Sequence, residues 1–127
     1  MVKKVDDVIK ESFNEITTHH NNWDGDNEIK CEIATIERAK TFLKNLILDF
    51  NDFYDELLPM PIIAPGIGGD VDLEWDNEEF YLLLSIPGNG NDLAGAYGKI
   101  NKSNLEIRID FDDRNFNKEL ILWLKSK

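Results

Sequence analysis

Asp70, Asp72 and Glu74 set three carboxylates at alternate positions of the run Asp70-Val71-Asp72-Leu73-Glu74-Trp75. Carboxylates that converge can hold a divalent cation or share general acid–base work. Side chains at i and i+2 of a strand stand about 7 Å apart, a range in which paired carboxylates cooperate. An exposed sheet face is nonetheless a poor place to desolvate a catalytic acid. The stripe better suits a solvated face, or a docking face for a basic partner. His19 and His20, with Asp24 and Asp26 close behind, are the one cluster whose residue types suit a transition metal. Adjacent histidines at a helix end usually diverge, and no His-x-x-x-His or Cys-x-x-Cys spacing accompanies them. Asp24-Gly25-Asp26-Asn27-Glu28 has oxygen ligands at alternate positions, as a calcium loop does. That loop needs glycine at its sixth position and a bidentate acid at its twelfth, where this chain has Ile29 and Thr35. The expectation is no metal and no cofactor.

Nucleophilic catalysis needs Cys31 or a serine beside a base. Cys31 lies in Glu28-Ile29-Lys30-Cys31-Glu32, with His20 the nearest histidine in sequence. Nearby acids raise a thiol pKa, which is the opposite of activation. Gly66-Ile67-Gly68-Gly69 has backbone amides that could cradle an anion, but it precedes a strand and an acidic run rather than a helix. Gly88-Asn89-Gly90 joins two strands. Both read as turns.

The elements that must position these residues follow from periodicity. Val5, Val8, Ile9, Phe13 and Ile16 predict an amphipathic helix from near Lys3 to near Thr18, followed by the polar segment 19–27. Ile36, Ala39, Leu43, Leu46, Ile47 and Phe50 predict a second helix that starts near Ala34, with Thr35 as its cap. It runs on through Phe53 and Tyr54 or breaks near Asn51-Asp52, and Pro59 and Pro61 end it in either case. Residues 61–65 should be extended. Strands are expected at about Val71–Trp75, Phe80–Ile86, Ala94–Ile100 and Leu105–Phe111, joined by short polar breaks that suit hairpins. A final helix from about Asn115 uses Phe116, Leu120, Trp123 and Leu124.

These elements describe an α+β, two-layer fold as one domain over residues 1–127: two N-terminal helices, a mainly antiparallel meander of four to five strands, and a C-terminal helix. One sheet face should lie under the helices. The other carries Asp70, Asp72, Glu74, Glu106, Arg108 and Asp110 and should be open to water. Trp75 and Trp123 fall on inner faces. Trp23, in the polar connection, is expected to plug the core and anchor the loop, and it is also a candidate partner-face residue.

Charge narrows the partners. The 127 residues carry a formal charge of −11, with 42% hydrophobic and 31% charged side chains, the balance of an ordinary globular domain. Such a field repels phosphate backbones and anionic lipid, so neither direct nucleic-acid binding nor membrane binding is expected. A single cysteine allows no internal disulfide, there is no signal-peptide apolar block, and the longest apolar runs fall far short of the ~20 residues that span a bilayer. A soluble, cytoplasmic protein is the expected setting.

Asn22-Trp23-Asp24-Gly25, a helix containing Ala39 and Phe42-Leu43, then Pro61, Pro65, Gly69 and the strand Val71-Asp72-Leu73-Glu74-Trp75, resemble a group of small uncharacterised bacterial proteins. That group has a W-D-G-x-G-A element and a later D/N-G-x-[IV]-x-[LF]-E-W strand, and the resemblance covers roughly residues 21–86. Asp26-Asn27-Glu28 stands where the group has aromatic-Gly-Ala, and Gly69-Asp70 where it has an acid followed by glycine. The resemblance implies a bacterial or mobile-element accessory protein and brings no catalytic residue.

Two functions are weighed. The first is a non-enzymatic binding module of antitoxin, immunity or inhibitor type. It would dock a basic protein partner through Asp70, Asp72, Glu74, Glu106, Asp110 and Trp23, with acidic mimicry of nucleic acid as a special case. The alternative is a small metal-dependent hydrolase that uses the same carboxylates, with His19 or His20.

Overall fold

A computed structural model describes residues 2–14, 31–115 and 117–127. The expected stretch of the first helix from Glu15 to Thr18, and the expected core residue Phe116, lie outside them. Helix α1 spans Val2–Ser12. Its Val5 and Ile9, with Phe13 just beyond, stand one turn apart and are buried against the second helix. Lys44 reaches across to Asp6 at 2.8 Å, an exposed pair worth less than about 1 kcal/mol.

Helix α2 runs unbroken over Ile33–Tyr54 and buries Ile36, Ala39, Phe42, Leu43, Leu46, Ile47 and Phe50 along one side. Thr35 is not its cap. The Ile36 N–H bonds the Glu32 carbonyl at 3.0 Å, so the cap position falls on Glu32 and Thr35 is buried in the first turn. The helix passes Asn51-Asp52 and stops at Asp55, whose left-handed backbone (φ 52°) lets its N–H reach back to the Asn51 carbonyl at 2.7 Å. Pro59 and Pro61 then keep the chain extended into the sheet.

The sheet has five strands, all antiparallel and in chain order: β1 Ile62–Pro65, β2 Val71–Asp76, β3 Phe80–Ile86, β4 Ala94–Ile100 and β5 Glu106–Phe111. A short 3-10 turn, Ile67–Gly69, joins β1 to β2. Alternation gives the sheet two unlike faces. Val71, Leu73 and Trp75, then Phe80, Leu82, Leu84 and Ile86, then Ala94, Ala96 and Ile100 are all buried against the helices. Helix α3, Lys118–Lys125, completes that layer with Leu120, Ile121, Trp123 and Leu124. It starts after Asn115, because Asn115 folds back to Asp112 through its N–H and its side chain, at 3.2 Å each. Asn117 is the cap, its Oδ1 accepting the Leu120 N–H at 3.0 Å.

Two close approaches fix how the layers meet. Gly98 lies under the Trp123 ring: a Cβ there would stand 2.7 Å from the ring's Cη2 and 2.7 Å from the Tyr81 carbonyl oxygen. Trp123 is held in that place by its Nε1, which donates to the Leu105 carbonyl at 3.1 Å, and by the Phe80 ring edge-on at 6.0 Å. At one end of the sheet, Arg38 on α2 donates to the Pro87 carbonyl at 3.0 Å and to both oxygens of Asp113 at 3.4 and 3.5 Å. The Asp113 side chain is only 2% exposed, so its charge is out of water and Arg38 compensates it. Among the described residues, no helix is long and apolar enough to cross a membrane.

Candidate binding face

The outer face of the sheet is ordered by strand register. Glu74 stands opposite Leu83, Leu83 opposite Tyr97, and Tyr97 opposite Arg108, with Ile62 extending the row onto β1. Beside it runs Asp72–Ser85–Gly95–Asp110, and on the other side Asp76–Tyr81–Lys99–Glu106. The face is therefore acidic on β2 and β5 and aromatic in the middle. Sequence alternation placed Asp72, Glu74, Glu106, Arg108 and Asp110 here. It missed the centre, although β3 and β4 were bounded correctly and the same period of two assigns Tyr81, Leu83, Ser85, Tyr97 and Lys99 to this side.

Side-chain contacts run across the face from β2 to β5. The Tyr81 hydroxyl donates to Glu74 Oε2 at 2.6 Å. The Tyr81 and Tyr97 ring centroids are 6.4 Å apart, and Arg108 lays its guanidinium carbon 4.7 Å above the Tyr97 ring. Ser85 Oγ donates to Asp72 Oδ1 at 2.8 Å. These contacts shift two titrations. Tyr81 is pushed up to about 12, first by its bond to the Glu74 carboxylate and then by burial and the charges of Glu74, Asp76 and Asp72. Asp72 is raised mainly by burial, with Asp70 and Glu74 adding to it and the Ser85 bond opposing.

Asp70 stands just before β2 and closes the end of the sheet. Its Oδ1 accepts the Gly88 N–H at 2.8 Å, and its carbonyl accepts the Gly66 N–H at 2.7 Å and the Cys31 thiol at 3.1 Å. A Cβ on Gly88 would fall 2.9 Å from the Gly68 carbonyl oxygen, so glycine is what lets these two turns touch. Glu106 and Asp110 are exposed on the edge strand.

Each of the three alternating acids thus has its own donor: Gly88 for Asp70, Ser85 for Asp72 and Tyr81 for Glu74. Among the described residues, no group of three or more His, Cys, Asp or Glu side chains is arranged to hold a metal ion. Cys31 is buried and its thiol is pushed up to about 11, first by burial and then by Asp70 and Asp72. The acids that oppose its ionisation come from the sheet end, distant in sequence. His19, His20, Trp23 and the segment Asp24–Glu28 lie outside the described residues. Away from the face, a cleft of about 260 Å³ opens between α2 and the segment entering α3. Several of its polar walls are already engaged: Arg114 with the Gly90 carbonyl, Asn115 with Asp112, and Asn117 with Leu120.

No family model, no curated protein and no solved structure matches this chain.

Proposed function

We propose that the protein is a non-enzymatic binding module of antitoxin, immunity or inhibitor type, working in the cytoplasm, and that it docks a basic protein surface through its outer sheet face. The observation that carries this reading is the make-up of that face. Asp72, Glu74, Asp76, Glu106 and Asp110 stand against only Lys99 and Arg108, around a centre of Tyr81, Leu83 and Tyr97. Tyrosines ringed by charge are what protein interfaces use as anchors, and Tyr97 is 36% exposed. The chain's charge of −11 would steer a basic partner towards it. The resemblance to the W-D-G group, with its implied bacterial accessory role, belongs to the same proposal. The test is to reverse the exposed acids Asp76, Glu106 and Asp110 to lysine and measure affinity for the proteins that the wild type captures from its host. Binding should fall at least tenfold and its salt dependence should weaken, since rim charges set both. Unchanged affinity for every captured protein would remove this face from the function.

A further inference from the structure

The identity of the side chain that the outer face receives rests on that face being a docking surface, as proposed. Tyr81 lies at the meeting point of the face's two chemistries. On β2 it has Asp76 directly opposite and Glu74 on the diagonal, and on β4 it has Lys99 opposite and Tyr97 on the diagonal. Its hydroxyl uses only Oε2 of Glu74. The other carboxylate oxygen of Glu74, and both oxygens of the exposed Asp76, are bonded to no side chain among the described residues. The next ring shows what such a site accepts, because Arg108 already stacks on Tyr97 at 4.7 Å without an ion pair to any described carboxylate. Tyr81 offers a similar ring with Asp76 directly opposite and Glu74 on the diagonal, where Tyr97 has Arg108 opposite and Glu106 and Asp110 on the diagonals.

We propose that Tyr81, Glu74 and Asp76 form a seat for an arginine side chain presented by the basic protein partner. The guanidinium plane stacks on the Tyr81 ring while its N–H fork donates to Glu74 and Asp76. Charge complementarity selects a cation, and the combination of a ring with flanking carboxylates selects arginine over lysine. A guanidinium is planar, weakly hydrated and donates in a fork; an ammonium is a compact, strongly hydrated point charge that gains less from a ring face. Arg108 already stacks on the neighbouring Tyr97 ring, whereas among the described residues no cation stacks on the half-buried Tyr81 ring.

Deca-arginine and deca-lysine peptides separate this seat from general acidity, because both carry the same charge. Calorimetry at low salt should give about a fivefold preference for the arginine peptide, the scale of one solvent-facing cation–π contact. Tyr81→Phe keeps the ring and should keep the preference. Tyr81→Leu should abolish it while leaving affinity for the lysine peptide unchanged. In the wild type, chemical-shift changes on adding the arginine peptide should centre on Tyr81, Glu74 and Asp76, a readout that needs no variant to fold. Equal binding of the two peptides, unaltered by Tyr81→Leu, would overturn the seat and leave the acidic docking face standing. Binding of neither peptide would overturn both. Self-association in ultracentrifugation that Tyr81→Leu dissolves would also overturn it, by making the occupant a second copy of this chain.

Discussion

Replacing Gly98 by alanine tests how tightly α3 is set against the sheet. The added Cβ would meet Trp123 Cη2 and the Tyr81 carbonyl oxygen at 2.7 Å each, and Trp123 Cζ2 at 3.0 Å. A Cβ carbon does not stand that close to atoms it is not bonded to, so something must move. The carbonyl belongs to the paired strand β3, and the ring can swing only by breaking its 3.1 Å bond to Leu105. Overpacking of this kind costs about 3 kcal/mol, the upper end of the usual range, since neither neighbour gives way easily. Alanine returns at most about 1 kcal/mol by stiffening the unfolded chain. The net loss is about 2 kcal/mol. For urea slopes of about 1–2 kcal/mol per molar, the unfolding midpoint followed by tryptophan fluorescence should fall by about 1–2 M with the slope unchanged. In a Trp123→Leu background the same substitution should cost about 1 kcal/mol less, because one of its two clashes is gone. A Gly98→Ala protein that unfolds at the wild-type midpoint would refute the packing argument. An equal cost in both backgrounds would place the whole clash on the β3 backbone.

Three further outcomes are expected. Trp75→Ala should cost about 3–5 kcal/mol in urea unfolding, because the side chain is 2% exposed. Trp75→Phe should cost only about 1 kcal/mol, chiefly the 2.7 Å bond from Nε1 to the Pro59 carbonyl. Asp72→Asn should raise the unfolding midpoint at neutral pH. The carboxyl's folded-state pKa lies above its ordinary 3.8, so the stability it lends is full below pH 3.8 and is lost as pH rises through the raised value; the advantage of the variant should vanish in acid. Glu74→Gln should move the Tyr81 titration from about 12 down towards 10 in an ultraviolet difference titration. Tyr81's contribution to stability, present below pH 10 and lost through about 12 in the wild type, should then disappear at lower pH.

What could be read from the chain was whatever repeats locally. The period of two gave β3 and β4 their true limits, and the helical period found the buried side of α2. Caps were harder, because a threonine or asparagine near a helix start says only that several residues compete for the position. Thr35, expected as a cap, is buried in the first turn, and the last helix, expected from about Asn115, begins at Lys118 because Asn115 is bonded back to Asp112. Asp70 read as a member of the stripe, since nothing local announces that Gly88, two strand ends away, will donate to its carboxylate. Arg38 and Asp113 carry no sign of one another at their distance along the chain. The centre of the candidate face was legible in the same period of two, but Tyr81 and Tyr97 take their importance from charged residues on the neighbouring strands, which the order of residues along β3 and β4 does not show.

The unbroken succession of β1 to β5 also bears on how the chain reaches this structure. Every strand pairs with the one synthesised next to it, across turns such as 77–79 and 101–105, so no pairing waits for a distant segment to arrive. The entropy of loop closure grows with the logarithm of loop length, and hairpins of this span close in microseconds. The sheet can zip strand by strand, and the late, slow events are then those that join chain ends: α3 settling over Gly98, and Arg38 meeting Asp113. Substitutions at those docking contacts should act mainly on the unfolding rate, and substitutions in the β2–β3 turn mainly on the folding rate.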